Sequence, residues 1–224
     1  MAASESTSSL KSTVAQFDKM LNKFGVVTVM DAKVYNYIEQ SEPKKVDQYI
    51  AQYSSGELCT LDTLKIANIN IEGPDKTITG GRFNDVLVKF GKKGRIEMQD
   101  ALGNAKALEV FGGAVVETFT TGNNGGLKEG GLKVLHLTEN FTGPKTIIGD
   151  SFFIDQKTGT QVPVKIILYK VMPDSIFNLS QDSEGNATVF DMNADLGSER
   201  ILVGTDSNSS GDVEIGAFYS VYAG

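Results

Sequence analysis

The chain has 224 residues, 40% of them hydrophobic and 22% charged, with a formal net charge of −7. A chain of this length makes one large domain or two small ones, and folding buries roughly 70% of its extended surface, so no metal or disulfide staple is required. One cysteine, one histidine and an isoelectric point near 4.8 argue against a disulfide framework, a zinc site and a grip on nucleic acid.

The charge is unevenly placed. From Asp174 to Gly224 nine carboxylates face a single base, Arg200, whereas residues 1–173 carry 20 bases and 19 acids. Met1 to Ser9 is small and polar, lacks the basic and apolar halves of a secretory signal, and is expected as a mobile tail (1–9). Leu10, Val14, Phe17, Leu21 and Phe24 step by four, three, four, three, which predicts a helix with Ser9 as N-cap and Gly25 as stop. That helix either packs on its own domain or serves as an arm on a neighbouring subunit. Gly25 to Tyr37 reads as strand. A second helix is expected behind Ser41 and Pro43, because Val46, Tyr49, Ile50 and Tyr53 share one face and Ser54-Ser55-Gly56 ends it. Residues 10–56 therefore form a helical and extended N-terminal segment, and 57–224 the main domain.

Strands follow at Leu58 to Glu72, with a phase shift at Ala67-Asn68 that suits a bulge, and at Val86 to Met98, as a pair or one bent strand. Asp100 is expected to cap a short helix on which Ala101, Ala105 and Leu108 share a face, closed by Gly112-Gly113. Gly103 inside it costs about 1 kcal/mol relative to Ala. Beyond it lie strands at Ala114 to Thr121, Leu132 to Leu137, Thr146 to Ile154 and Val162 to Met172. The loop Gly122 to Gly131 and the hairpin turn Lys157-Thr158-Gly159 separate them. In Val162 to Met172 the residues Val162, Val164, Ile166 and Leu168 predict one buried face. Ser175 to Gln181, Thr188 to Leu196, Ile201 to Thr205 and Val213 to Tyr222 bring the total to about ten strands. The fold class is mainly β: a β-sandwich or barrel with a short packed helix and helical N-terminal additions.

No set of residues makes a catalytic kit, and no enzyme or cofactor is expected. Cys59, between Leu58 and Leu61, reads as a buried thiol, and His136, between Leu135 and Leu137, as a strand histidine. Asp206, Asn208, Ser210 and Asp212 resemble the first half of a calcium loop, but the twelfth position is Ala217 and a strand begins where a helix should. On Thr188 to Leu196, Phe190, Met192, Ala194 and Leu196 point one way; Val189, Asp191, Asn193 and Asp195 form a wet, negative face. Gly91-Lys92-Lys93-Gly94-Arg95 is the one basic patch and suits a solvated turn or a subunit contact. Apolar runs such as Ile166 to Tyr169 fall far below the ~20 residues of a membrane span, and no membrane partner is expected.

Two stretches carry a family resemblance. One is Asp62-Thr63-Leu64-Lys65 with Glu72-Gly73-Pro74-Asp75-Lys76-Thr77-Ile78-Thr79-Gly80-Gly81; the other is Val88-Lys89-Phe90-Gly91-Lys92 with Glu97-Met98-Gln99-Asp100-Ala101-Leu102-Gly103. They resemble tail tube (major tail) proteins of tailed bacteriophages. Ile176 to Gly185 followed by Ala187 to Met192 is similar to the closing strands of that family. The resemblance, over Asp62 to Leu196, implies a virion structural protein assembled in the host cytoplasm. Its subunits would close into rings, usually hexameric, and stack with other tail proteins into a channel for the genome. A carboxylate-lined bore would let DNA pass without specific binding. Asp182, Glu184, Asp191 and Asp195 are then the lumen candidates, and Leu10, Val14, Phe17, Leu21, Gly125 and Gly126 the inter-subunit candidates. The rival readings are a baseplate, tail-completion or capsid-associated virion protein, and a calcium- or carbohydrate-binding β-sandwich module.

Overall fold

The computed structural model describes residues 26–61, 64–73, 75–80, 84–89, 92–100, 105–118, 133–139, 142–154, 161–180, 189–204 and 211–223. They form fourteen strands and two helices: β1 (Val26–Asn36), α1 (Val46–Ala51), β2 (Glu57–Leu61), β3 (Leu64–Glu72), β4 (Asp75–Gly80), β5 (Asn84–Lys89), β6 (Lys93–Asp100), α2 (Ala105–Gly112), β7 (Val115–Thr118), β8 (Lys133–His136), β9 (Lys145–Ile154), β10 (Gln161–Ser180), β11 (Val189–Gly197), β12 (Glu199–Gly204), β13 (Asp212–Ala217) and β14 (Tyr219–Ala223). Eight strands make one antiparallel sheet in the order β2-β1-β9-β10-β11-β6-β3, with β14 also on β10. The other six form three two-stranded ribbons, β4–β5, β7–β8 and β12–β13.

This sheet cannot lie flat. Seven strands on one path, at about 4.8 Å each, would set the edges β2 and β3 roughly 29 Å apart. Yet residues 62–63 join those edges, a reach of about 11 Å at most. The sheet must therefore fold back on itself, and β3 approaches β1. Among the described residues no hydrogen-bonded ladder joins the two edges, so the barrel alternative is not realised: the sheet stays open and doubles into two layers.

β10 makes the corner. Its first half pairs β9 (Gln161↔Ile154 to Val171↔Lys145) and β14 (Val164↔Ala223 to Leu168↔Tyr219); its second half pairs β11 (Lys170↔Gly197 to Ser180↔Val189). The register slips between Leu168 and Val171 on one side and between Pro173 and Phe177 on the other. Pro173 has no N–H to give the ladder, and a strand bends most easily where pairing lapses. One layer is thus β2, β1, β9, the first half of β10 and β14. The other is the second half of β10, β11, β6 and β3.

The core lies between them. Ala32, Val34, Leu61, Ile147, Ile166 and Leu168 come from the first layer, and Ile96, Met98, Met192, Ala194 and Leu196 from the second. Leu108 and Phe111 of α2 pack into the same cluster, all of it buried. Each large aliphatic side chain taken out of water here contributes roughly 1.5–3 kcal/mol before entropy is subtracted. Gly94 sets the spacing of β6 and β11: a Cβ there would stand 2.9 Å from Leu196 Cβ and 3.1 Å from Phe218 Cδ1.

The structure revises several sequence expectations. The bulge falls between Ile66 and Asn68, where the phase shift put it, because Ile66↔Met98 is followed by Asn68↔Glu97. The 46–51 helix begins later than Ser41 and Pro43 suggested. Lys45 is its N-cap residue, and the Lys45 amide donates to Gln48 Oε1 at 3.3 Å. Asp100 is no cap but the last residue of β6; α2 starts at Ala105 and closes on Gly113, whose φ of 65° suits glycine. β5 and β6 are separate strands with different partners. Ser175 to Ser180 continues β10 rather than forming its own strand. The run Val213 to Tyr222 breaks at Phe218 into β13 and β14, which pair with different neighbours. β10 buries both faces, since Ile167 and Tyr169 lie in a second cluster beneath α1. β1, within the segment set apart as 10–56, is paired on both sides inside the sheet, by β2 and β9.

Candidate assembly surface

The negative face expected on β11 has the predicted alternation: Met192, Ala194 and Leu196 are buried, Asn193 and Asp195 exposed. Its surroundings are of mixed sign. Asp195 sits between Arg95 of β6 and Met172 of β10, Asn193 opposite Glu97, and Asp191 between Gln99 and Asn178. Beyond β6, β3 brings Asn70 opposite Arg95 and Glu72 opposite Lys93. Arg95 Nη2 lies 2.9 Å from Asp174 Oδ2. Asp195 makes no ion pair among the described residues. Asp182 and Glu184 lie outside the described residues.

Much of the C-terminal acidity is locally compensated. Asp212 Oδ2 meets Lys45 Nζ at 3.1 Å, and Glu214 Oε1 meets Arg200 Nε at 2.7 Å. Glu199, 5% exposed, accepts from the Tyr37 hydroxyl at 2.7 Å and from the Arg200 amide at 3.0 Å. Of the calcium candidates, Asp206, Asn208 and Ser210 lie outside the described residues. Asp212 is on β13, and its Oδ1 has no partner among the described residues. No group of three or more His, Cys, Asp or Glu able to hold a metal occurs among the described residues. Cys59 is buried, and His136 is exposed on β8, its Nε2 3.0 Å from Glu117 Oε2. Leu10, Val14, Phe17, Leu21, Gly125 and Gly126 also lie outside the described residues.

The densest polar chemistry is buried under α1. Thr146 Oγ1 donates to the Tyr169 carbonyl at 2.8 Å and stands 3.0 Å from the Tyr53 hydroxyl. Tyr53 donates to Tyr49, and the Ile38 amide donates to Tyr53. Tyr49 and Tyr169 meet edge to face with centroids 4.9 Å apart. Burial pushes the Tyr49, Tyr169 and Tyr37 hydroxyls up from the ordinary tyrosine value, Tyr37 being raised further by its bond to Glu199. Burial likewise lowers Lys145, whose Nζ donates to Asn36 Oδ1 at 2.9 Å. Lys170 lies across Gly197, its Cδ at the place a Cβ would need, and its ammonium stands 4.8 Å over the Tyr37 ring. This constellation rivets α1 to the sheet.

Two of the ribbons carry exposed apolar side chains. On β12–β13, Val203 stands directly opposite Val213, and Ile215 two residues along shares their face. They are 42%, 51% and 44% exposed, while Ile201 at the base of the same face is buried in the tyrosine cluster. Around β7–β8, Val115, Leu135 and Leu137 are also exposed. A two-stranded ribbon is marginally stable by itself in water. Here β12–β13 is tied to residues 44–45, by the Lys44–Ile201 bridge and, at the end where Asp212 pairs with Gly204, by the Lys45–Asp212 ion pair. Sequence reading placed these strands without assigning their faces; the period-2 apolar pattern Ile201, Val203 and Val213, Ile215 was the available signal. Compared with known families and curated proteins, the chain matches no family model and no curated protein.

Proposed function

We propose that the chain is a virion structural subunit: a tail tube protein that joins copies of itself into stacked rings around a channel for DNA. One observation carries the reading. Two ribbons carry large exposed apolar side chains beside a well-packed two-layer core, Val203, Val213 and Ile215 on one and Val115 and Leu135 on the other. A subunit that spends its life in an assembly has use for such surfaces, because a neighbour covers them. The resemblance of residues 62–196 to tail tube proteins supplies the kind of assembly. In this reading the partners are further copies and other tail proteins, and DNA passes without specific binding. Asp182, Glu184, Asp191 and Asp195 are assigned to the bore, where carboxylates repel phosphate.

Electron microscopy of the purified protein tests the assembly: rings or tubes of uniform bore are expected, and a monomer at every concentration refutes it. For the bore, Asp191→Lys with Asp195→Lys leaves tubes intact and impairs DNA delivery. Normal delivery through such tubes removes these residues from the lining.

A further inference from the structure

We infer that Lys145 and Asn36 are a self-modification site: the Lys145 amine attacks the Asn36 side-chain amide and forms an isopeptide crosslink between β1 and β9. The two residues face each other in the ladder, as the last residue of β1 and the first of β9. Lys145 Nζ lies 2.9 Å from Asn36 Oδ1. A carbonyl bond of about 1.23 Å then leaves Asn36 Cγ no more than about 4.1 Å from that nitrogen. Reacting atoms in a productive pose stand about 3–3.5 Å apart, so a small turn of the amide closes the gap. The backbone fixes the pair on both sides. Tyr35 is paired with Thr146, and the Tyr37 amide donates to the Pro144 carbonyl at 3.1 Å.

The setting of the lysine favours attack. Lys145 is 7% exposed and makes no ion pair among the described residues; its Nζ donates to the neutral Asn36 amide. A buried cation without a countercharge is costly. Burial accordingly holds Lys145 below the ordinary lysine value, with Cys59 acting the other way. Both the cost and the shift favour the neutral amine, which is the nucleophilic form. Asn36 is exposed, so a leaving group there escapes to solvent. In the step, Nζ bonds to Cγ and the Cγ–Nδ2 bond breaks. One proton passes from Nζ to Nδ2, which departs as ammonia. No oxidant, metal or second copy enters. Before the reaction Lys145 titrates as a free amine; afterwards it does not. The bond closes the loop from 36 to 145 and restricts the unfolded chain as a disulfide would.

Mass spectrometry of the full wild-type chain, kept folded through prolonged incubation, tests this. The expected product is lighter than its sequence requires by one ammonia. Trypsin is expected to pass over Lys145, and a branched peptide to join residues 34–44 to residues 134–157. Wild-type chain held in denaturant is expected to give at least tenfold less of that peptide, because the pairing that aligns the two groups is gone. Lys145→Met and Asn36→Ala chains are each expected to give none. Loss of ammonia with normal cleavage after Lys145 would mean a succinimide at Asn36, and it overturns the crosslink. An unchanged mass in chain that stayed folded leaves an ordinary hydrogen bond only, and overturns it as well.

Discussion

The space between the layers and the β12–β13 ribbon use the same material to opposite ends. Both are antiparallel pairs of short strands rich in Val and Ile, and both alternate apolar with polar residues. Between the layers, Val34, Ile96 and Ile147 are wholly or almost wholly buried; on the ribbon, Val203, Val213 and Ile215 are 42–51% exposed. The ladder is equally regular in each place, Ile96 pairing with Ala194 and Val203 with Val213. Hydrogen bonding therefore does not distinguish them. What does is whether a second layer lies above the apolar face, because the burial term scales with area removed from water. The core's apolar face is covered by a second layer; the ribbon's is about half exposed.

The largest test of that contrast is a pair of truncations. Ile96→Ala removes a fully buried side chain between two layers and is expected to cost about 2–5 kcal/mol in urea unfolding. Val213→Ala on the ribbon is expected to change the stability of the unassembled chain by less than about 0.5 kcal/mol. Comparable losses at both sites would mean that the ribbon is already covered within a single copy.

A smaller effect is expected at the tyrosine lock, which lies between these extremes. Tyr53→Phe keeps the ring against Tyr35 and Tyr49 but removes the hydroxyl that meets Thr146, Tyr49 and the Ile38 amide. A loss of about 1–2 kcal/mol is expected from the unmade bonds. Circular dichroism of α1 is too weak a signal to follow, so hydrogen exchange at Ile38 and Tyr53 is the better readout. Unchanged protection there would show that packing alone holds the helix.

What could be read from residues alone follows the same division. Period and turn chemistry located most strands, the faces of β11 and the bulge at Ala67, because these are local consequences of the pleat. Gly113 could be foreseen as the helix stop for a similar reason. The layer structure could not: the corner in β10 depends on which strands flank its two halves, and nothing between Val162 and Ser180 encodes β9, β14 or β11. Ile167 and Tyr169 were assigned no burial because the residues that cover them, Tyr49 and Ile201, lie more than thirty positions away. The acidic C-terminal segment gave the opposite lesson. Its carboxylates are a plain count in sequence, but Lys45, Arg95, Arg200 and Tyr37 reach four of them, and only the register reveals that.

The smallest expected effect concerns pH and separates the lock from the ribbon by a different route. Burial raises Tyr35, Tyr37, Tyr49, Tyr169 and Tyr222, the last pushed up to about 12 from an ordinary 10.0. Above pH 10 the unfolded chain releases tyrosine protons that the folded chain keeps, so the unfolded state binds fewer protons and stability falls as pH rises. Their contribution is complete below 10 and, for Tyr222, is lost between 10 and about 12. Lys145 works with the opposite sign: burial depresses it, the unfolded chain holds its proton more firmly, and stability gains slightly as pH climbs toward 10.5. One lysine stands against five tyrosines, so the melting temperature is expected to rise faintly and then fall through that window, in step with tyrosinate absorbance. A Tyr222→Phe chain should fall less steeply. The same fall in both chains would show that Tyr222 ionises in the folded state as readily as in the unfolded one, leaving the four other tyrosines to account for the slope.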